Sequence, residues 1–235
     1  VQPKYGYISE RKYILREVIR LKDLQIDFNS KIHTTSLKSA FIPNTRVQLY
    51  FISHEEYFSN IPELLYKSRN GRLYKNNHEK FSFFAKTVME SLNKLFWFPD
   101  IIICNNWQMS FLPILFNQKY KNLEKFKNTK IVSMFHSYDK DMFRYQNSIF
   151  ESLDMDYNKK AKFQNTFKLS IENSNFSYFF NNSKKLENAY NHKEIKPLLK
   201  KNNHKIIEMK DIQDTSSKME LYNSIKDDLE SLVNS

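Results

Sequence analysis

Two polar runs end apolar stretches in the middle of this sequence. Asn105-Asn106-Trp107-Gln108 follows DIIIC, and His136-Ser137-Tyr138 follows IVSMF. Amide, imidazole and hydroxyl groups held in two neighbouring turns can exchange hydrogen bonds with a small polar ligand. If both apolar runs are strands of one sheet, the turns lie at their carboxyl ends, where ligands of open α/β sheets bind. That placement supports a polar small-molecule pocket, with ordinary loop chemistry as the alternative. For His136 the alternative is an imidazole bonded to a backbone carbonyl. For Asn106 it is an N-cap ahead of Trp107, a role compatible with ligand contact. Trp107 and Trp97 read as core or surface aromatics. His54, Glu55 and Glu56 fit no metal spacing and read as a solvated turn after a strand. Cys104 ends an apolar strand and reads as an inert small hydrophobe.

Composition removes several other chemistries. Only two glycines occur, Gly6 and Gly71, where average usage would give about sixteen. Glycine-rich phosphate loops need several glycines close together, so neither the nucleotide P-loop nor the dinucleotide fingerprint is present. One cysteine makes no internal disulfide and no cysteine cluster suggests zinc, which points to a reducing, cytoplasmic setting without cofactor or metal. No stretch approaches the roughly eighteen apolar residues of a membrane-spanning helix. The net charge is +11, from 37 basic and 26 acidic side chains. Lysine carries most of it, scattered among Asn, Ile, Phe and Tyr, residues that share AT-rich codons. The charge therefore signals no specific nucleic-acid partner.

The elements that must position the two turns follow from periodicity. VQP at the start reads as the end of a strand, and residues 8–21 repeat apolar positions at helical spacing. LQIDF (24–28) and VQLYFI (47–52) read as strands, with turn chemistry at 42–45 between them. Asn77 to Leu95 is an amphipathic helix carrying Phe81, Phe84, Val88, Leu92 and Leu95 on one stripe. FPDIIIC (98–104) has the continuous apolar character of a strand buried on both faces. A helix from Trp107 to about Tyr120, the strand 130–135, a helix near 160–173, the strand 177–182 and a shorter strand 205–209 follow. The last helix opens on a capping box, Ser217 to Glu220, and presents Tyr222, Ile225, Leu229 and Leu232 inward. Strands alternating with helices predict an α/β fold, a mostly parallel Rossmann-like sheet with helices on both faces.

Five segments in order, PKYGYISER, VQLYFISHEEYF, GRLYKNNHEKFSFFAK, FPDIIICNNWQ and IVSMFHS, resemble the bacterial glycogen synthase and plant starch synthase family. The resemblance covers roughly residues 1–190 as an N-terminal catalytic-type lobe. It leaves 191–235 as a terminal strand and helix packing on the same lobe. It implies one lobe of a two-lobed GT-B glycosyltransferase that moves glucose from ADP-glucose to the non-reducing end of an α-1,4-glucan, retaining configuration. His136 then falls on a histidine that sits against the donor glucose. Trp107 falls on the tryptophan of a D-W pair, and Asn77 on the asparagine of a D-N pair. Phe81 falls on the phenylalanine of R-F, with Lys80 in place of its arginine.

The departures are specific. Asn106 and Asn76 stand where the family has aspartates, and Ser137 replaces the asparagine after the histidine. The family's K-x-G-G-L donor-phosphate loop would precede Val1, and a whole C-terminal lobe would follow. Two readings stay open. One is a glucosyltransferase lobe that contacts sugar through His136, Asn106, Trp107, Asn77 and Ser137 and is completed by a partner that supplies the second lobe. The other is a non-catalytic, degenerate lobe that binds glucan or a protein partner.

Overall fold

The computed structural model describes residues 1–59, 66–212 and 214–234. The chain divides into two compact units, Val1–Trp97 with Ser148–Asp154, and Phe98–Asn147 with Met155–Ser235.

The first unit is built on a mixed sheet. Strands β1 (Gln2–Pro3), β2 (Arg16–Glu17), β3 (Leu24–Phe28), β4 (Lys31–Phe41) and β5 (Gln48–Ser53) form it in the order β1-β5-β4-β2, with β3 also paired to β4. Only β1 and β5 are parallel. The β3–β4 hairpin closes through Asn29 and Ser30, both at positive φ (55° and 59°), the backbone of a type I′ turn. Helix α1 (Asn77–Leu95) has the extent its periodicity predicts. It buries Phe81, Phe83, Phe84, Val88, Met89 and Leu92. It ends on Phe96 in the left-handed region (φ 54°), whose N–H bonds back to the last turn.

Two expectations fail in this unit. Residues 8–21 form turns, β2 and a 3-10 turn (Ile19–Leu21) instead of a helix. Ile14 sits at φ 50°, which no helix tolerates, and Arg16–Glu17 is drawn into pairing with Ser39 and Lys38. Of the apolar positions at helical spacing, Tyr13 and Ile14 are exposed, Ile8 and Val18 are half-buried and only Leu21 is buried. His54 is not in a solvated turn. Its ring is buried among His33, Tyr57 and Phe83, with centroids 4.7–5.3 Å away, while Glu55 and Glu56 alone face solvent.

The second unit carries the parallel sheet. Strand β6 (Ile101–Asn105) leads through a 3-10 turn to α2 (Leu112–Leu115), then β7 (Lys130–Phe135) and β8 (Arg144–Gln146); α3 (Asn147–Ser152) follows in the chain but falls, after Asn147, in the first unit. Strand β9 (Phe163–Asn165), α4 (Thr166–Glu172), β10 (Phe176–Asn181), α5 (Lys184–Tyr190), α6 (Lys196–Leu199), β11 (His204–Glu208) and α7 (Thr215–Val233) complete the second unit. The sheet order is β11-β10-β7-β6, all parallel, and β8 pairs with β9 antiparallel. The α/β architecture expected from the strand–helix alternation is therefore present.

Alternation along β10 sorts the two faces of the sheet. Phe179 turns one way and packs against Phe135, Phe167 and Tyr190. Tyr178 and Phe180 turn the other way and form a buried cluster with Val132 and Ile207. Leu221, Ile225, Leu229 and Leu232 of α7 pack against that cluster. Asp228 of α7 accepts from the Tyr178 hydroxyl (3.0 Å) and from Lys205 Nζ (2.8 Å), pinning the helix to β10 and β11.

The finer expectations for this unit are corrected in four places. β6 is an edge strand with Ile103 42% exposed, so it is not buried on both faces. The helix expected over 107–120 is broken into a 3-10 turn, the short α2 and a wider π turn (Phe116–Tyr120), with Pro113 in α2 unable to donate to a preceding turn. The helix near 160–173 begins only at Thr166, because 163–165 pairs as β9. At α7 the cap is Asp214, whose carboxylate accepts from the Ser217 N–H at 2.7 Å, and Tyr222 is exposed.

Candidate functional site

Strands β6 and β7 pair in register, Asn105 opposite Met134, so the turns that follow them start at the same height. The Asn106 N–H donates to the Met134 carbonyl at 2.7 Å, which draws the first turn across onto the second strand. Its side chain completes the bridge. Nδ2 donates to Ser137 Oγ at 2.9 Å, and Oδ1 accepts from the backbone N–H of His136 (3.4 Å) and Ser137 (3.3 Å). The two polar turns are thus one bonded assembly.

Asn106 does this from a backbone of φ 56° and ψ −164°, a region that side-chain-bearing residues rarely occupy. Such a conformation costs about 1–3 kcal/mol and persists only where the surroundings over-determine it. Here four hydrogen bonds, one from its N–H and three through its amide, supply that constraint. Asn106 is the residue ahead of the 3-10 turn Trp107–Met109, yet its side chain makes no capping bond there. The amide is spent on the second turn.

His136 follows the Val132–Met134 side of β7 by strand alternation. Its ring lies flat on Phe180, centroids 4.5 Å apart and planes 13° from parallel. Its Nε2 is 3.3 Å from Asn105 Oδ1. With the proton assigned to Nε2, the imidazole donates to Asn105 and keeps Nδ1 as an acceptor. Burial lowers the pKa of the ring from its ordinary value, so the neutral form dominates at pH 7. Among the described residues no charged side chain is hydrogen-bonded to Asn105, Asn106, His136 or Ser137. What the shelf offers a ligand is therefore uncharged: the Asn105 amide, the Ser137 hydroxyl and a neutral imidazole.

The structure thus brings Asn106, His136 and Ser137 together. Trp107 is next in sequence but only 4% exposed, so its indole belongs to the core of the second unit. Asn77 is in the first unit and buried, its Nδ2 donating to the Tyr66 carbonyl at 2.7 Å. Lys80 beside it is buried with its ammonium over the Tyr74 ring. Two contributors were not singled out from the sequence. Asn105 stands in the first polar turn of the sequence reading, without a role of its own, and is the last residue of β6. Phe180 was not legible there, because only the pairing of β10 with β7 brings it under His136.

Further along the same strand tips, Asn181 Nδ2 donates to both carboxylate oxygens of Glu208 at 2.9 Å. The two residues line a cavity of about 440 Å3 together with Ser183, Lys184, Glu187 and Lys210. A larger cavity, about 710 Å3, lies in the first unit between Tyr7, Tyr13, Phe41 and Phe51 and contains none of the expected site residues. Cys104 is buried, and burial raises its thiol far above its ordinary range, as an inert core residue requires. Among the described residues no group of three or more His, Cys, Asp or Glu side chains could hold a metal ion. Nor is any helix there long and apolar enough to cross a membrane.

The family model described as the starch synthase catalytic domain matches residues 1–183. Glycogen synthase of Pelodictyon phaeoclathratiforme is 35% identical over 137 residues, which are 58% of this chain and 28% of that protein. Glycogen synthase of Chlorobaculum parvum is 36% identical with the same coverage. The chain thus spans well under a third of the length of these curated relatives. Among solved structures, the catalytic domain of starch synthase IV from Arabidopsis thaliana, bound to ADP and acarbose, is similar in fold. The TM-score is 0.68 at 18% identity, over 87% of this chain and 43% of that one.

Proposed function

We propose, because this chain belongs to the starch synthase catalytic domain family, that its polar shelf contacts the glucosyl unit in α-1,4-glucan synthesis from ADP-glucose. The observation that carries the reading is the Asn106 bridge, which gathers His136 and Ser137 at the carboxyl ends of adjacent parallel strands. A neutral shelf suits sugar hydroxyls: the Asn105 amide and Ser137 hydroxyl donate, and His136 Nδ1 accepts.

In the transfer, the glucosyl carbon leaves the diphosphate oxygen and joins the 4-hydroxyl oxygen of the glucan end, with retention. ADP departs and the hydroxyl proton is released. Positive charge builds on the sugar while negative charge builds on the diphosphate. Cations and backbone N–H groups must hold that diphosphate; among the described residues no cationic side chain is hydrogen-bonded to the shelf, and its His136 and Ser137 N–H groups are taken up by Asn106. We assign this task to a second, donor-binding lobe, from a further segment or a partner chain. Residues 1–190 then act as the N-terminal-type lobe and 191–235 as its terminal strand and helix, in the reducing cytoplasm. Asn77 holds the Tyr66 carbonyl within the first unit, and Trp107 fills the core of the second.

The missing charge at Asn106 and Asn76 favours one other reading, a glucan-binding lobe that does not catalyse. Incubation with ADP-glucose and glycogen primer, with a separate donor-binding lobe of a glycogen synthase added, distinguishes the two. Incorporation that disappears in His136→Ala supports transfer. No incorporation, with glycogen co-sedimentation that His136→Ala weakens, supports binding alone. Loss of both, or co-sedimentation indifferent to His136, overturns the shelf as a sugar site.

A further inference from the structure

Phe180 is one side chain with two neighbours of different kind. On one side its ring carries the His136 imidazole, 4.5 Å away and nearly parallel. On the other it belongs to the cluster of Val132, Tyr178 and Ile207 that α7 covers. The helix is tied to that cluster by polar contacts as well as by apolar packing. Asp228 bonds Tyr178 and Lys205, and Ser224 accepts from Lys205 Nζ at 2.6 Å. Met209 and Ile212, in the link between β11 and α7, pack on the cluster too. The platform under the site histidine is therefore the upper end of the surface on which the C-terminal helix rests.

We propose that Phe180, braced by α7, is a positioning residue that fixes the plane and tautomer of His136 against Asn105. An imidazole whose one hydrogen bond among the described residues is a 3.3 Å contact from Nε2 to a side chain retains rotation about its own bonds. A flat phenyl face at van der Waals distance removes that freedom and excludes water from one side of the ring. Among the described residues the partners of the His136 ring are Asn105 from the first turn and Phe180 from β10, both uncharged. Titratable groups around it are Tyr138 and Asp139, next in sequence, Tyr178, whose ring stacks on Phe180, and Glu208, bonded to Asn181. Docking of α7 thereby sets how the shelf presents its acceptor nitrogen, which rests on the reading of His136 as a sugar contact.

Imidazole 15N and 1H resonances of the full 235-residue chain test this without any assay of transfer. The wild type shows His136 held in the Nε2–H tautomer, with a titration midpoint below the ordinary histidine value. Phe180→Leu averages the two ring nitrogens between tautomers and moves the midpoint upward. Phe180→Tyr, which keeps the ring, restores both. Ile225→Ala in α7 gives the same change in smaller measure and decides the matter should Phe180→Leu not fold. Phe176→Leu, on the same face of β10 but in ring contact with Tyr178 instead, lowers stability and leaves His136 unmoved. A folded Phe180→Leu or Ile225→Ala protein whose His136 tautomer and midpoint match the wild type overturns the proposal. Maltoheptaose added to the same samples separates the two ideas. If His136 responds to Phe180→Leu and not to the sugar, the positioning stands and the glucan reading alone falls.

Discussion

At the scale of single residues, Asn106 concentrates the argument, because its side chain does what two backbones cannot do alone. The strained φ of 56° and the amide bonds to Ser137 and His136 are one arrangement seen from two sides. Removing the amide in Asn106→Ala keeps the strain and deletes what offsets it. A loss of about 1–2 kcal/mol is expected, since the partners are only partly buried and recover some bonding from water. The shift of the urea midpoint reads it. Asn106→Asp is a different experiment. A carboxylate can still accept from both N–H groups and from the Ser137 hydroxyl, so folding survives. Its charge stabilises the imidazolium, so the His136 titration midpoint rises relative to the wild type. A midpoint that stays put would mean that the two turns are not joined through this side chain.

At the scale of elements, the first unit hides a titrating device where the sequence suggested a solvated turn. His54 Nδ1 accepts from the Tyr57 N–H at 3.2 Å, at the start of the turn Glu55–Ser59 that follows β5. Burial lowers the His54 pKa first, and the nearby His33 ring lowers it further, against smaller upward pulls from Glu56 and Glu55. A histidine whose folded pKa lies below its unfolded value of about 6.5 binds fewer protons when folded. Stability is therefore whole above pH 6.5 and falls as the pH drops below it. Protonation also breaks the Nδ1 bond that starts the turn. Urea midpoints at pH 7.5 and pH 5.5 should fall in that order, with the difference shrinking in His54→Leu. Equal slopes would clear His54 of the effect. Helix α1 was legible in the sequence because Phe81, Phe84, Val88 and Leu92 are apolar and all face inward. Strand β4 was not, because its inward residues include His33 and Thr35, so burial alternates along it while hydropathy does not. The two site turns were legible as polar ends of apolar strands. Their platform, Phe180, comes from a third strand that no local pattern ties to them.

At the scale of the whole molecule, the charge and the proposed ligand pull in different directions. A chain of net charge +11 attracts polyanions at long range, whereas the shelf at β6 and β7 bonds to no charged side chain among the described residues. If lysine abundance reflects composition, the specific interaction is the uncharged one. Its strength then depends on hydrogen bonds and ring contacts that salt does not screen. Maltooligosaccharide binding by the wild type should therefore be the same at 50 and 200 mM salt and be weakened by His136→Ala at both. Binding to random-sequence DNA, by contrast, draws on released counterions. It loses about 10³–10⁵ in affinity over that range when six to ten phosphates are contacted. Titrations of both ligands at the two salt concentrations decide which interaction belongs to the fold. DNA binding that stays at nanomolar strength at 200 mM salt, beside sugar binding indifferent to His136, would place the function on the basic surface and leave the polar shelf as loop chemistry.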